Sequence, residues 1–238
     1  MSNTKNKNLP IVLIFGPVLT AVSGVSTHVR LLQNSSLAER YKFIHFIIGS
    51  EGKNETKITR IFRFITSPLT LAFYTMRLRP AIVHINTSFN PKSVWRDFVY
   101  LLIVKMLGRK VVYQIHGGCL PEEFCGKNKF IRSIIRKMLL MPDIVILLCN
   151  AERQAYLDFA PIQKLEVIPN AIDLDEYKYS VPGKYKSPTV ELVYIGRLVE
   201  VKGVQHTIMA LSILLEKHNY SDLHFHIAGS GPYEDTLK

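Results

Sequence analysis

The sequence predicts an α/β protein: a doubly wound, parallel-sheet domain followed by the first part of a second domain of the same kind. Short, wholly apolar runs recur along the chain, and stretches with helical spacing separate them. Strand–helix alternation with continuously apolar strands is the pattern of a parallel sheet covered on both faces. The rhythm breaks once, at 169–189, and then restarts.

Taken in order, strands are expected at 10–15, 42–48, 81–85, 111–116 and 143–148, with a weaker one at 164–168. The first, Ile11-Val12-Leu13-Ile14-Phe15, is flanked by Pro10 and Pro17. Lys5 and Lys7 ahead of the apolar stretch, with Ala21-Val22-Ser23 behind it, also resemble a signal peptide. The two prolines and the β-rich run favour a buried strand. Helical spacing fills about 25–40, 59–78, 92–108, 128–141 and 150–159. Right-handed crossovers between these elements give a doubly wound sheet.

Pro169, Asn170, Asp173, Asp175, Pro182, Gly183 and Pro188 cluster where the rhythm breaks, as in an interdomain connection. The expected organisation is therefore a first domain over 1–168, a linker over 169–189 and a second domain beginning at 190. In that second part, strands at 190–196 and 223–228 flank a helix at 204–217, and another helix begins near Pro232. One β-α-β unit is too small to close a core, so 190–238 is expected to be a piece of a larger domain.

Charge is uneven. The net +11 divides into +14 over residues 1–150 (21 Lys+Arg against 7 Asp+Glu) and −3 over 151–238 (9 against 12). Such asymmetry points to an anionic partner for the first domain, either a membrane face or phosphorylated substrates. Nucleic acid is not favoured, because aromatics do not alternate with the basic residues as on a stacking platform. No stretch reaches the ~18 apolar residues of a membrane span. Segment 57–79 alternates basic and apolar residues, as interfacial helices do, although an ordinary helix with solvated arginines fits equally. Cys119, Cys125 and Cys149 make an odd count that favours free thiols in a reducing compartment. The Asn-x-Ser/Thr triplets at Asn34, Asn54, Asn86 and Asn219 matter only for a secreted chain.

Ligands of open parallel sheets bind at the carboxyl ends of the strands. After the first strand, Ser23-Gly24 precedes a helix and lets backbone approach a phosphate, without the glycine spacing of dinucleotide enzymes. A plain Ser23 N-cap is the alternative. His84 and His116 sit at later strand ends. The pair Gly117-Gly118 behind His116 favours a place over a bound substrate, whereas His84 is as readily structural. His116, Cys119 and Cys125 match no zinc spacing, and His224 and His226 share a strand face without a third ligand in view, so no metal is expected. The strongest signal is Gly196-Arg197-Leu198-Val199-Glu200-Val201-Lys202-Gly203: two cations in a loop whose last glycine opens a helix, an arrangement suited to a diphosphate.

These residues resemble the retaining, family 4 (group 1) glycosyltransferases of the GT-B fold, built from two Rossmann-like domains. Gly196-Arg197-Leu198 with Lys202-Gly203, Ile227-Ala228-Gly229-Ser230-Gly231-Pro232, and Val167-Ile168-Pro169-Asn170-Ala171-Ile172-Asp173 carry the likeness, supported by the Gly24 loop and His116-Gly117. The resemblance implies a hexosyl-type transferase that takes sugar from a nucleotide-diphospho sugar with retention of configuration. Arg197 and Lys202 would grip the diphosphate, Gly24, Gly203 and Gly229 would line the donor site, and His116 would position donor sugar or acceptor. It further implies a carbohydrate or lipid-linked acceptor, no metal or other cofactor, and a role in cell-surface polysaccharide or glycolipid synthesis. The protein would be cytoplasmic and peripheral at the inner face of the plasma membrane. Ser23-Gly24 stands where the family has two glycines, Ala171 replaces a glycine, and the family's Glu-x7-Glu segment would lie beyond Lys238. The last absence leaves a non-catalytic, glycosyltransferase-like binding module as the rival. A nucleotide-sugar epimerase would need a Gly-rich fingerprint and a Tyr-x3-Lys pair that the sequence lacks.

Overall fold

A computed structural model describes residues 9–49, 56–174, 189–218 and 222–237. The chain divides into two compact units, Met1–Tyr177 and Lys178–Lys238. The first contains β1 (Ile11–Gly16), α1 (Gly24–Asn34), β2 (Lys42–Ile47), α2 (Lys57–Leu78), β3 (Ile82–Phe89) and α3 (Pro91–Met106). It continues with β4 (Lys110–Gly118), α4 (Pro121–Cys125), α5 (Lys129–Leu140), β5 (Ile144–Leu147), α6 (Asn150–Phe159) and β6 (Leu165–Val167). All six strands are parallel in the order β2-β1-β3-β4-β5-β6. The order reverses between β1 and β3, the crevice where open sheets take ligands.

The centre of the sheet is covered on both faces, which is why its strands read as unbroken apolar runs. Leu13, Ile14 and Phe15 of β1, Val83 and Ile85 of β3, and Val111, Tyr113 and Ile115 of β4 are fully buried. Val94, Tyr100, Leu101 and Val104 of α3 and Ile135, Met138 and Leu139 of α5 complete the core.

Four elements depart from the sequence expectation. The helix expected over 25–40 stops at Asn34, because Ser35 turns extended, bonds back to the Leu32 carbonyl at 2.8 Å and caps a separate 3-10 turn over Ser36–Glu39. Strands β3 and β4 run on to Phe89 and Gly118, so His116 lies inside a strand rather than at its end. Buried Asn86 and Thr87 continue the β3 ladder past its last apolar residue, Ile85, which an apolar-run criterion misses. Helix α4 is short, starts at Pro121 and is held by Glu123 accepting from the Leu120 amide at 3.0 Å.

Gly118 has φ +121, and a Cβ there would overlap the Phe89 backbone. No larger residue fits where β3 and β4 end together.

The second unit holds β7 (Val190–Ile195), α7 (Val204–His218), β8 (Leu223–Ala228) and α8 (Glu234–Leu237), with β7 and β8 parallel. Among its described residues only Leu198, Val204 and Leu211 are buried apolar groups. No described helix of either unit is long and apolar enough to cross a membrane.

Candidate functional site

In the first unit, the carboxyl edge of the sheet gathers three histidines. Ser23 caps α1 by accepting from the Ser26 amide at 3.2 Å, which leaves Gly24 at the first position of the helix. A Cβ on Gly24 would meet nothing within 4 Å, so the backbone there is open to approach. His28, one turn further along α1, faces His116 with ring centroids 4.7 Å apart and His84 at 6.3 Å. Gln114 Oε1 lies 3.1 Å from His28 Nε2 and 3.0 Å from His84 Nε2. A carbonyl oxygen only accepts, so both rings donate from Nε2.

The Asn86 amide nitrogen donates to the Phe15 carbonyl at 2.9 Å, and this fixes which way its side chain points. Its Oδ1 then accepts from His116 Nε2 at 2.9 Å. His116 Nδ1 is left as a buried lone pair without a hydrogen-bond partner among the described residues. Burial, reinforced by His28 and His84, pushes the His116 pKa down to about 3, while the Asn170 side chain acts weakly the other way. Burial and His28 push His84 down to about 4, and burial lowers His28. At neutral pH this is a neutral, hydrogen-bonding cluster rather than a charged one.

Two further groups come into view only in the structure. A cleft of about 300 Å3 opens over the end of β3, lined by Asn86, Thr87, Ser88, Asn90, Lys92 and Arg96 among others. Arg96 holds the fully buried Asp97 through Nε (2.8 Å) and Nη2 (2.7 Å), both on Oδ1. Gln114 and His28 were not singled out from sequence, although a glutamine inside the apolar run 111–116 is a visible anomaly.

In the second unit, Arg197, Lys202 and Gly203 share one loop. Buried Leu198 anchors it, the Tyr194 hydroxyl donates to the Arg197 carbonyl at 3.0 Å, and Gly203 takes φ +74 before α7 begins. Both cations are exposed, and neither makes an ion pair among the described residues. Gly229 lies at the end of the neighbouring strand. A Cβ on Gly229 would overlap the Gly196 carbonyl oxygen, and one on Gly231 the Leu198 carbonyl oxygen. Close packing of the two strand ends thus requires both glycines whether or not a ligand is bound.

The absence of a third ligand for His224 and His226 needs correction. The parallel register sets Glu191 opposite His224, and its carboxylate lies 3.1 Å from His224 Nδ1 and 2.6 Å from His226 Nε2. These three exposed side chains can hold a metal ion, as donors within 4.8 Å of one another. Cross-strand pairing is not written in a single sequence, so Glu191 could not be found from the His-x-His spacing. Hydrogen bonds from His226, then His224, hold the Glu191 carboxyl below its ordinary range.

Parallel sheets with ligand-ready carboxyl edges place the chain among Rossmann-like proteins of the GT-B class, and solved structures agree in fold. Sucrose-phosphate synthase from Thermosynechococcus elongatus superposes with TM-score 0.63 at 14% identity over 94% of this chain and 63% of that one. A glycosyltransferase from Rickettsia africae gives 0.56 at 16% over 97% and 71%. TarM gives 0.53 at 19% over 71% of this chain and 32% of its own, so this chain spans about a third of that protein. A search of curated proteins found no sequence match. The family model described as Glycosyltransferase Family 4 matches residues 22–176, and the chain belongs to that family. Residues 181–238 match the model of the glycosyl transferases group 1.

Proposed function

We propose that the protein transfers a sugar from a nucleotide-diphospho sugar to an acceptor hydroxyl with retention of configuration. The observation that carries this reading is the 196–203 loop, where two exposed cations precede the glycine that opens α7. Arg197 and Lys202 neutralise the diphosphate as it leaves, the work a metal ion performs elsewhere. Gly24 and the start of α1 offer backbone to the donor phosphates. In the transfer, the bond from the anomeric carbon to the diphosphate oxygen breaks and one to the acceptor oxygen forms. His116, with its pKa near 3, is too weak a base to take the acceptor proton at neutral pH. The proton therefore passes to the departing diphosphate oxygen. His116 Nδ1 accepts a hydrogen bond and orients a sugar hydroxyl.

Arg197→Ala in the intact enzyme is expected to lower turnover by more than about tenfold, equivalent to ~1.4 kcal/mol of transition-state stabilisation. Unchanged kcat/KM would refute the assignment. Thermal shifts with UDP-, GDP- and ADP-sugars compared side by side identify the nucleotide.

The protein works, on this reading, as a peripheral enzyme at an anionic membrane, in glycolipid or cell-surface polysaccharide synthesis. Helix α2 supports this: Ile58, Ile61, Phe62, Phe64, Ile65 and Leu69 are all more than 60% exposed, along a helix that also bears Arg63 and Arg77. Sedimentation with phosphatidylglycerol vesicles should be strong at low salt and fall at high salt. Binding equal to that on neutral phosphatidylcholine vesicles would rule the docking out.

A further inference from the structure

Two cavities of opposite character adjoin at the carboxyl edge of the first unit. One, of about 410 Å3, is a groove between α2 and α3 walled mainly by Phe64, Pro91, Trp95 and Tyr100, with Arg63 and Ser67 of α2 also on its lining. The other is the polar cleft of about 300 Å3 over Asn86, Thr87 and Ser88. Both volumes fall in the range of small-ligand sites, roughly 300–1,000 Å3. Gly49, Lys92 and Arg96 line both cavities, so the ammonium of Lys92 and the guanidinium of Arg96, the latter paired with buried Asp97, stand at the seam. Lys92 is exposed and makes no ion pair among the described residues. It sits in the first turn of α3, a 16-residue helix whose amino end adds positive potential. The Tyr100 hydroxyl is spent on Ser67 Oγ at 2.8 Å, which leaves the groove an apolar surface.

Apolar groove, cationic seam and polar cleft follow one another in the order of a single amphiphile: hydrocarbon, anion, hydroxyl-rich group. A free sugar would leave the groove empty, and a bilayer surface would need neither cavity. We propose that this is the acceptor subsite and that the acceptor is a lipid-linked saccharide, a hydrocarbon chain joined through phosphate to the sugar that is extended. The tail lies against Phe64 and Trp95, the phosphate meets Lys92 and Arg96, and the sugar reaches the cleft beside Asn86, whose amide oxygen holds His116. The word acceptor rests on the glycosyl-transfer reading above; the amphiphile site itself does not.

The test is calorimetric titration of the chain with dodecyl phosphate below its micellar concentration, beside inorganic phosphate and uncharged dodecyl maltoside. Dodecyl phosphate is expected to saturate one site at least about tenfold more tightly than either control. Lys92→Glu and Phe64→Ser, both at exposed positions, should each weaken it several-fold, while Lys137→Glu on α5 should not. Equal affinity for inorganic phosphate or for dodecyl maltoside overturns the proposal, as does binding that survives both groove variants. Association seen only with phosphatidylglycerol vesicles, and not with the monomeric amphiphile, overturns it in favour of bulk membrane. Thermal shifts with nucleotide sugars on the intact enzyme separate the two ideas: amphiphile binding without donor binding sinks the transfer reading and leaves this site standing.

Discussion

Between pH 7.5 and 5.5 the first unit is expected to lose about 2.7 kcal/mol of stability through His84 and His116 alone. In the unfolded chain both rings take protons near their ordinary pKa of 6.5; in the fold they resist until about 4 and about 3. The unfolded state therefore binds more protons throughout that window, and stability must fall as pH falls. Each ring contributes about 1.4 kcal/mol by pH 5.5, and His28 adds in the same direction. The groups facing the cluster are Gln114, Asn86 and Asn170, none of them charged, so no carboxylate offsets the loss. Against a typical domain stability of ~5–15 kcal/mol the effect is large. Urea midpoints read from Trp95, the sole tryptophan and a member of this unit, measure it at pH 7.5, 6.5 and 5.5. His84→Gln should flatten the slope below pH 6.5 by about 1.4 kcal/mol per pH unit. A parallel shift of the whole curve, with its slope intact, would mean that His84 titrates normally in the fold.

The acid-sensitive cluster shows where sequence legibility ends. Apolar runs mark parallel strands, and so the eight described strands lie where Ile11–Phe15 and its counterparts pointed, although β7 and β8 are largely exposed. Arg197, Lys202 and Gly203 lie close together in sequence, and the structure keeps them in one loop. Contacts that need tertiary or cross-strand pairing were not. Gln114 bridges His28 and His84 from positions 86 and 30 residues away in sequence. Glu191 reaches the histidines of β8 only because β7 and β8 align in a particular register. The groove between α2 and α3 exists only once two amphipathic helices lie side by side, and neither periodicity states the angle or the gap. The polar stretch Asn86-Thr87 looked like a strand end because apolarity was the criterion, yet Asn86 finds its hydrogen bond inside the sheet.

Removing Arg96 is expected to cost about 3–5 kcal/mol, the largest single effect of any side chain considered. Its partner Asp97 is fully buried on the inner face of α3, and burial alone would raise the carboxyl pKa; Arg96, Thr87 and Tyr113 oppose that. The Tyr113 hydroxyl bonds Oδ2 at 3.3 Å, too long to replace a charge. Arg96→Ala leaves an anion in the core without its cation. Arg96→Lys should recover part of the loss, because an ammonium cannot repeat the two contacts that Nε and Nη2 make with one oxygen. Asp97→Asn on the Arg96→Ala background should restore more than it costs, since the charge itself is then gone. A raised folded pKa gives stability that is present at low pH and lost as pH rises through it. The Arg96→Ala deficit relative to the parent, measured at each pH, should therefore shrink from neutral pH toward the ordinary carboxylate range. A deficit independent of pH, or a double variant no more stable than Arg96→Ala, would place the cost in lost packing of the arginine stem instead.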